Sequence, residues 1–181
     1  MGKTLVTPAE FKPLEIEAIK DRPELRITGT DSDLVLAEYL EAAVEHFQEL
    51  SRSILCRSTW DVYFDAFESP LIVPGPQTTL EALSYDDGSG ILQEVDASLY
   101  ILDATPRTWA EISLREGCAW PTPALQANSV VARITAGYAS PGAIPYKIKQ
   151  GLIEFIQQLY FGVSTEPAWA SAWAGYRRII C

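Results

Sequence analysis

The longest regular pattern of apolar positions runs through Asp33–Ser53, where Leu36, Leu40, Ala43, Phe47, Leu50 and Ile54 recur at spacings of three and four. That period puts them on one face of an α-helix and leaves Glu38, Glu41, Glu45 and Glu49 on the others. Just upstream, "TGTDSD" offers Asp31 or Ser32 as an acceptor for the first free amides of that helix. A second helical pattern begins at Pro145, a favoured first-turn residue with a fixed φ. Ile148, Leu152, Phe155 and Leu159 form its inner face, and Ile153, Ile156 and Tyr160 widen that face, so this helix is expected to be largely enclosed. Gly162 ends it. A short helix from Pro167 would bring Trp169, Trp173, Tyr176 and Ile180 to one side.

Between the two long helices the period drops to two. In "TWDVYFDAF", Trp60, Val62 and Phe64 fall on one side of a strand and Asp61, Tyr63 and Asp65 on the other. Further strands are predicted at 71–73, 79–85, 91–95, 100–102, 109–113 and 129–136. In the last of these Val131, Arg133 and Thr135 alternate with Val130, Ala132 and Ile134. "DDGSG" reads as a hairpin turn and "CAWPTPALQANS" as a loop. Residues 1–30 read as an irregular lead with a short helical piece over Leu14, Ile16, Ile19 and Leu25, interrupted by Pro23. Helix, several strands, then helix is the order of an α+β fold with mostly antiparallel pairing, and 181 residues suit one domain.

Charge narrows the range of partners. The formal net charge is −10, a poor footprint for gripping phosphates. From residue 147 onward, however, Lys147, Lys149, Arg177 and Arg178 outnumber Glu154 and Glu166, so an acidic body carries a mildly basic end. Cys56, Cys118 and Cys181 are far apart and form no CxxC, which argues against a disulfide framework and a zinc site. The opening residues lack the order of a signal peptide, and no apolar run approaches a membrane span. The chain is therefore read as soluble and made in a reducing cytoplasm.

The sequence offers no catalytic constellation, cofactor motif or metal site. "MGKT" lacks the upstream glycine and strand of a phosphate-binding loop and reads as a disordered start. "DDGSG" lacks the ligand spacing of a calcium loop. His46 stands mid-helix with no nucleophile elbow in the chain, so it is read as a surface or contact histidine. The pairs Asp86/Asp87 and Asp61/Asp65 read as turn and strand residues. Two features stay open. The glutamate series is either a solvated helix face or an acidic surface that faces DNA without holding it. "WASAWAGYRRII" either packs its tryptophans on the chain's own core or forms a docking tail, since aromatics and arginine are enriched in binding hot spots.

Several segments, in order, resemble the head–tail connector (adaptor) proteins of tailed phages and gene transfer agents. They are "ELRIT", "LAEYLEAAVEHFQELSRSIL" running into "STWDVYFDAF", "LEALSYDDGSGILQEVDASLYILD", "VVARITAGY", "IPYKIKQGLIEFIQQLYF" and the closing "WAGYRRII". The resemblance spans about Glu24 to Ile180; "FGVSTEPAW" and the segment 105–126 depart from it. It implies a single connector domain over residues 1–181, with a bundle of N- and C-terminal helices, an inserted β-rich region and a docking tail over 166–181. It further implies a structural virion protein at the head–tail junction, assembled as a twelvefold homo-oligomeric ring. The implied partners are the portal protein and a tail-proximal connector or stopper, with DNA passing through unbound and no membrane contact. On this resemblance Trp169, Trp173, Tyr176, Arg177, Arg178, Ile179 and Ile180 are the expected portal-docking residues. Glu38, Glu41, Glu45 and Glu49 are the expected acidic lining of the channel. The alternative is a binding module or scaffold that forms no ring.

Overall fold

The computed structural model describes residues 2–23, 25–105, 108–162 and 168–176, except for the side chains of 168, 171, 172 and 174. The predicted α+β class holds. The two long amphipathic patterns are helices α2 (Asp33–Ser51) and α3 (Tyr146–Phe161); α1 (Ile16–Lys20) and α4 (Ala168–Trp173) are short. Eight strands are described: β1 (Gly2–Thr7), β2 (Ser58–Phe64), β3 (Leu71–Pro74), β4 (Thr79–Asp86), β5 (Leu92–Glu94), β6 (Tyr100–Asp103), β7 (Trp109–Leu114) and β8 (Val130–Ala136). They form a five-stranded sheet in the order β1-β2-β8-β4-β5 and a three-stranded sheet in the order β3-β7-β6, with every strand pair antiparallel.

Apolar burial divides into two clusters. Val62, Leu83, Val130, Ala132 and Ile134 of the large sheet meet Leu71, Val73, Ala110 and Ile112 of the small one. The alternation read in β8 is thus real: Val130, Ala132 and Ile134 are buried, whereas Arg133 is exposed. The second cluster is helical. Leu36, Leu40, Ala43 and Phe47 of α2 pack with Ile148, Leu152, Ile153 and Ile156 of α3, and Ile19 and Trp173 close the sides. Gly137 stitches the two layers at a close approach. Its φ is +103°, and a Cβ there would lie 2.6 Å from the carbonyl carbon of Cys56, so only glycine fits.

Six details correct the sequence reading. Residues 2–7 are a strand, not an irregular start, because β2 supplies a partner about sixty positions away that no local pattern reveals. Helix α2 ends at Ser51, where the Ser51 hydroxyl donates to the Phe47 carbonyl at 2.7 Å and Arg52 turns left-handed. Ile54 is consequently lifted off the helix into the sheet cluster. Ser32 occupies the N-cap of α2 but makes no capping bond. Pro145 stands at the N-cap of α3 and not inside its first turn. Helix α3 is less enclosed than expected: Leu159 and Phe161 are exposed and Phe155 is only half-buried.

Candidate interaction surfaces

Helix α2 carries the acidic surface. Glu38, Glu41, Glu45 and Glu49 are all exposed, and their spacing keeps them within one stripe of the helix. Glu41 meets Lys12 at 3.2 Å in an exposed ion pair, which contributes little in water. Glu45 and Glu49 also line a groove of about 830 Å³ between α2 and the β1–β2 edge of the large sheet. Its other charged walls are Lys3, Arg52, Asp65 and Glu68, so carboxylates outnumber cations. Lys3 lies with Nζ 4.7 Å from the Trp60 ring, and desolvation beside that ring lowers its pKa although the residue as a whole stays exposed.

The C-terminal aromatics divide into core and rim. Trp173 is only 3% exposed and packs on Phe47 with ring centroids 5.2 Å apart. Its indole lies against Gly151 of α3 so closely that a Cβ on Gly151 would sit 2.2 Å from Nε1. The indole N–H donates to the Ile148 carbonyl at 3.4 Å. Trp173 therefore has no free surface for docking in this subunit; it clamps α4 to the helical layer. Trp169 is half-buried, donating through Nε1 to Gln158 Oε1 at 2.8 Å, and Tyr176 is half-buried with its ring 6.0 Å from that of Phe47. Arg177, Arg178, Ile179 and Ile180 lie outside the described residues.

His46 is a contact histidine. Its ring stacks on Phe155 at 5.0 Å and meets the edge of Trp169 at 4.8 Å, while Nε2 is buried without a hydrogen-bond partner. No hydroxyl or thiol nucleophile is paired with it among the described hydrogen bonds. The carboxylates considered for chemistry serve turns and strands. Asp61 accepts both Nε and Nη2 of Arg133, its register partner on β8, at 2.8 Å each. Asp65 accepts the Asn128 amide at 2.9 Å. Asp86 and Asp87 accept the amides of Gly88 and Ser89 at 2.7 and 2.9 Å, which builds the hairpin turn between β4 and β5. Among the described residues, no group of three or more His, Cys, Asp or Glu is placed to hold a metal ion, and no helix is long and apolar enough to cross a membrane.

Burial separates the cysteines. Cys56 lies inside the helical cluster and burial pushes its thiol up to about 11, whereas Cys118 is half-exposed. The thiolate is the reactive form. In a Cys181→Ser variant at pH 8, a maleimide should therefore modify Cys118 first and reach Cys56 only on unfolding. Equal labelling of both in the native protein would contradict the burial of Cys56.

Sequence reading missed two features of the surface. One is the β1 edge, exposed along all six residues. The other is Gly151, whose lack of a side chain makes the seat for Trp173. A glycine within an otherwise apolar helix face was the signal for the second; the first has no local signal.

The whole chain has known structural counterparts. A chain of the structure described as the virion of a native gene transfer agent (GTA) particle matches it with a TM-score of 0.80 at 22% identity, covering 100% of this chain and 97% of that one. A chain from the neck of an empty GTA particle, computed with C6 symmetry, matches at 0.78 and 21% identity, again over 100% and 97%. A chain from the neck of a native GTA particle, computed with C12 symmetry, matches at 0.76 and 20%, over the same shares. No family model matches the sequence, and no curated protein matches it. At this identity the likeness is one of fold, and the fold is shared from end to end.

Proposed function

We propose that this protein is the connector (adaptor) subunit at the head–tail junction of a gene transfer agent or tailed phage, a structural component and not an enzyme. Subunits form a ring below the portal protein, link the DNA-filled head to the tail-side connector or stopper, and let DNA pass. The observation that carries this reading is the end-to-end fold likeness to chains from the necks and the virion of GTA particles. The engagement of Asp61, Asp65, Asp86 and Asp87 in turns and strand pairs agrees with a structural role. In the ring the helices would bundle around the channel, with the acidic stripe of α2 toward DNA and the tail beyond Tyr176 on the portal.

The test is electron microscopy of the protein mixed with the portal protein encoded beside it. A ring seated under the portal is the expected image; a chain that binds no portal and forms no ring fits the alternative, a binding module that does not oligomerise. By light scattering at moderate salt the isolated chain is expected to be monomeric, because subunits at −10 repel one another until a partner offsets the charge. A stable ring at micromolar concentration without portal would remove the templated part of the proposal.

DNA binding supplies a further prediction. The assembled ring should not retain duplex DNA at physiological salt. Reversing Glu38, Glu41 and Glu45 to lysine should create retention that falls steeply with salt, the mark of phosphate neutralisation. An unchanged reversed ring would mean that the stripe points away from the channel.

A further inference from the structure

We infer that subunits join head to tail through the two outer strands of the five-stranded sheet, β1 of one copy lying beside β5 of the next. This rests on the ring assembly proposed above and names its seam. A strand at a sheet edge carries a row of unpaired backbone N–H and C=O groups, and proteins normally guard it with charge, proline, a bulge or a covering segment. β1 is weakly guarded. All six of its residues are exposed, Thr4, Leu5, Val6 and Thr7 carry no charge, and the one bulge lies at its end, between Leu5 and Thr7. Two adjacent apolar side chains at that bulge, Leu5 and Val6, are both open to solvent. Beyond its ladder with β2, β1 meets its own subunit through Lys3, whose Nζ lies 4.7 Å from the Trp60 ring.

The far edge offers a matching surface. Ile91 and Leu92 are exposed at 64% and 60%, and Leu125 is fully exposed close by. The segment that bears Leu125 is tied to this hairpin, since the Ala124 amide donates to the Asp86 carbonyl at 2.7 Å and Gln126 Nε2 to Asp86 Oδ2 at 2.8 Å. Charge selects this partner over a like edge. The β5 edge holds Asp86, Asp87, Glu94 and Asp96, while β1 itself holds Lys3 and no carboxylate. Two β5 edges would set carboxylates against carboxylates, whereas β1 beside β5 sets opposite signs together. Direction also fits. Four antiparallel steps separate β1 from β5, so the two edges run the same way, and a rotation about a ring axis would bring them together as a parallel pair. Such a contact is heterologous, the kind that closes a ring when the rotation divides the circle. Strand addition would supply the backbone bonds, with Leu5 or Val6 against Ile91 and Leu92 supplying apolar burial.

Cross-linking on the assembled ring tests the seam. In a background with Cys118→Ser and Cys181→Ser, single variants Leu5→Cys, Val6→Cys, Ile91→Cys and Leu92→Cys are assembled on the portal protein and treated with a short bis-maleimide. Neighbouring strands lie about 4.8 Å apart, so a β1 cysteine should reach a β5 cysteine only across such a seam. The expected result is dimers when a β1 variant is mixed with a β5 variant, none from a single variant alone, and a ladder of multimers from a double variant. Dimers from Leu5→Cys or Val6→Cys alone would show a symmetric β1–β1 contact and overturn the inference. Rings visible by electron microscopy without any cross-link would overturn the seam and leave the ring reading standing. No ring from the wild-type chain would defeat both. As a second measurement, Val6→Lys should leave the melting temperature of the monomer unchanged while reducing ring formation at least tenfold; undiminished assembly would count against the seam.

Discussion

Trp173→Ala is expected to lower the stability of the isolated subunit by about 3–5 kcal/mol, the usual cost of deleting a buried aromatic side chain. The indole is buried at 3% exposure between Phe47 of α2 and Gly151 of α3, so its loss leaves a cavity that both helices border. For a chain of this size each kcal/mol moves the melting temperature by roughly 2–4 °C, which makes the change easy to read by circular dichroism. Trp169→Ala should cost clearly less, since that ring is half-buried and its Nε1 bond to Gln158 can be replaced by water. Gly151→Ala attacks the same contact from the other side. A Cβ placed 2.2 Å from the indole nitrogen must push Trp173 away, at about 1–3 kcal/mol for overpacking. A Trp173→Ala variant that melts within a degree of wild type would mean that α4 is not part of the folded unit, and would return Trp173 to the set of docking candidates.

Arg177→Glu combined with Arg178→Glu is expected to weaken portal binding by about 3–6 kcal/mol, if each arginine makes one charge-assisted contact. That corresponds to a loss of roughly two to four powers of ten in affinity, visible as disappearance from the co-sedimented portal fraction. The motive is a locally basic, apolar-ended tail on an acidic chain, immediately beyond the point where Trp173 anchors the chain to its core. Truncation after Ala174 is the companion experiment. It keeps the Trp173 clamp and removes Tyr176, a half-buried ring packed on the helical cluster 6.0 Å from that of Phe47. The truncated protein should fold with near-native circular dichroism and no longer bind portal. If it unfolds, the tail belongs to the core. If it folds and binds, docking lies elsewhere, with the β-rich region the next place to look.

Much of the fold was legible because its cues are local. The three-and-four spacing in α2 and α3 and the alternation of Val130, Ala132 and Ile134 in β8 each state which face is buried, whatever that face meets. "DDGSG" announces its turn through side chains that bond amides two residues on. The failures share a cause as well. β1 owes its existence to β2, and Ile54 owes its place to the turn after Ser51, where Leu55 donates to the Gln48 side chain at 3.0 Å. Propensity and period cannot register a partner distant in sequence.

Of the candidate surfaces, the sequence by itself determined composition and sign: an acidic helix stripe, a basic end, and aromatics gathered near the C-terminus. It left Trp169, Trp173 and Tyr176 as equals, since all three share the same helical side. Only the tertiary structure separated them, because burial depends on what stands opposite, and what stands opposite Trp173 is the bare backbone of Gly151. Tertiary structure likewise decided that β1 and β5 are the outer strands of the large sheet, since strand order follows from pairings between distant segments and not from any one of them.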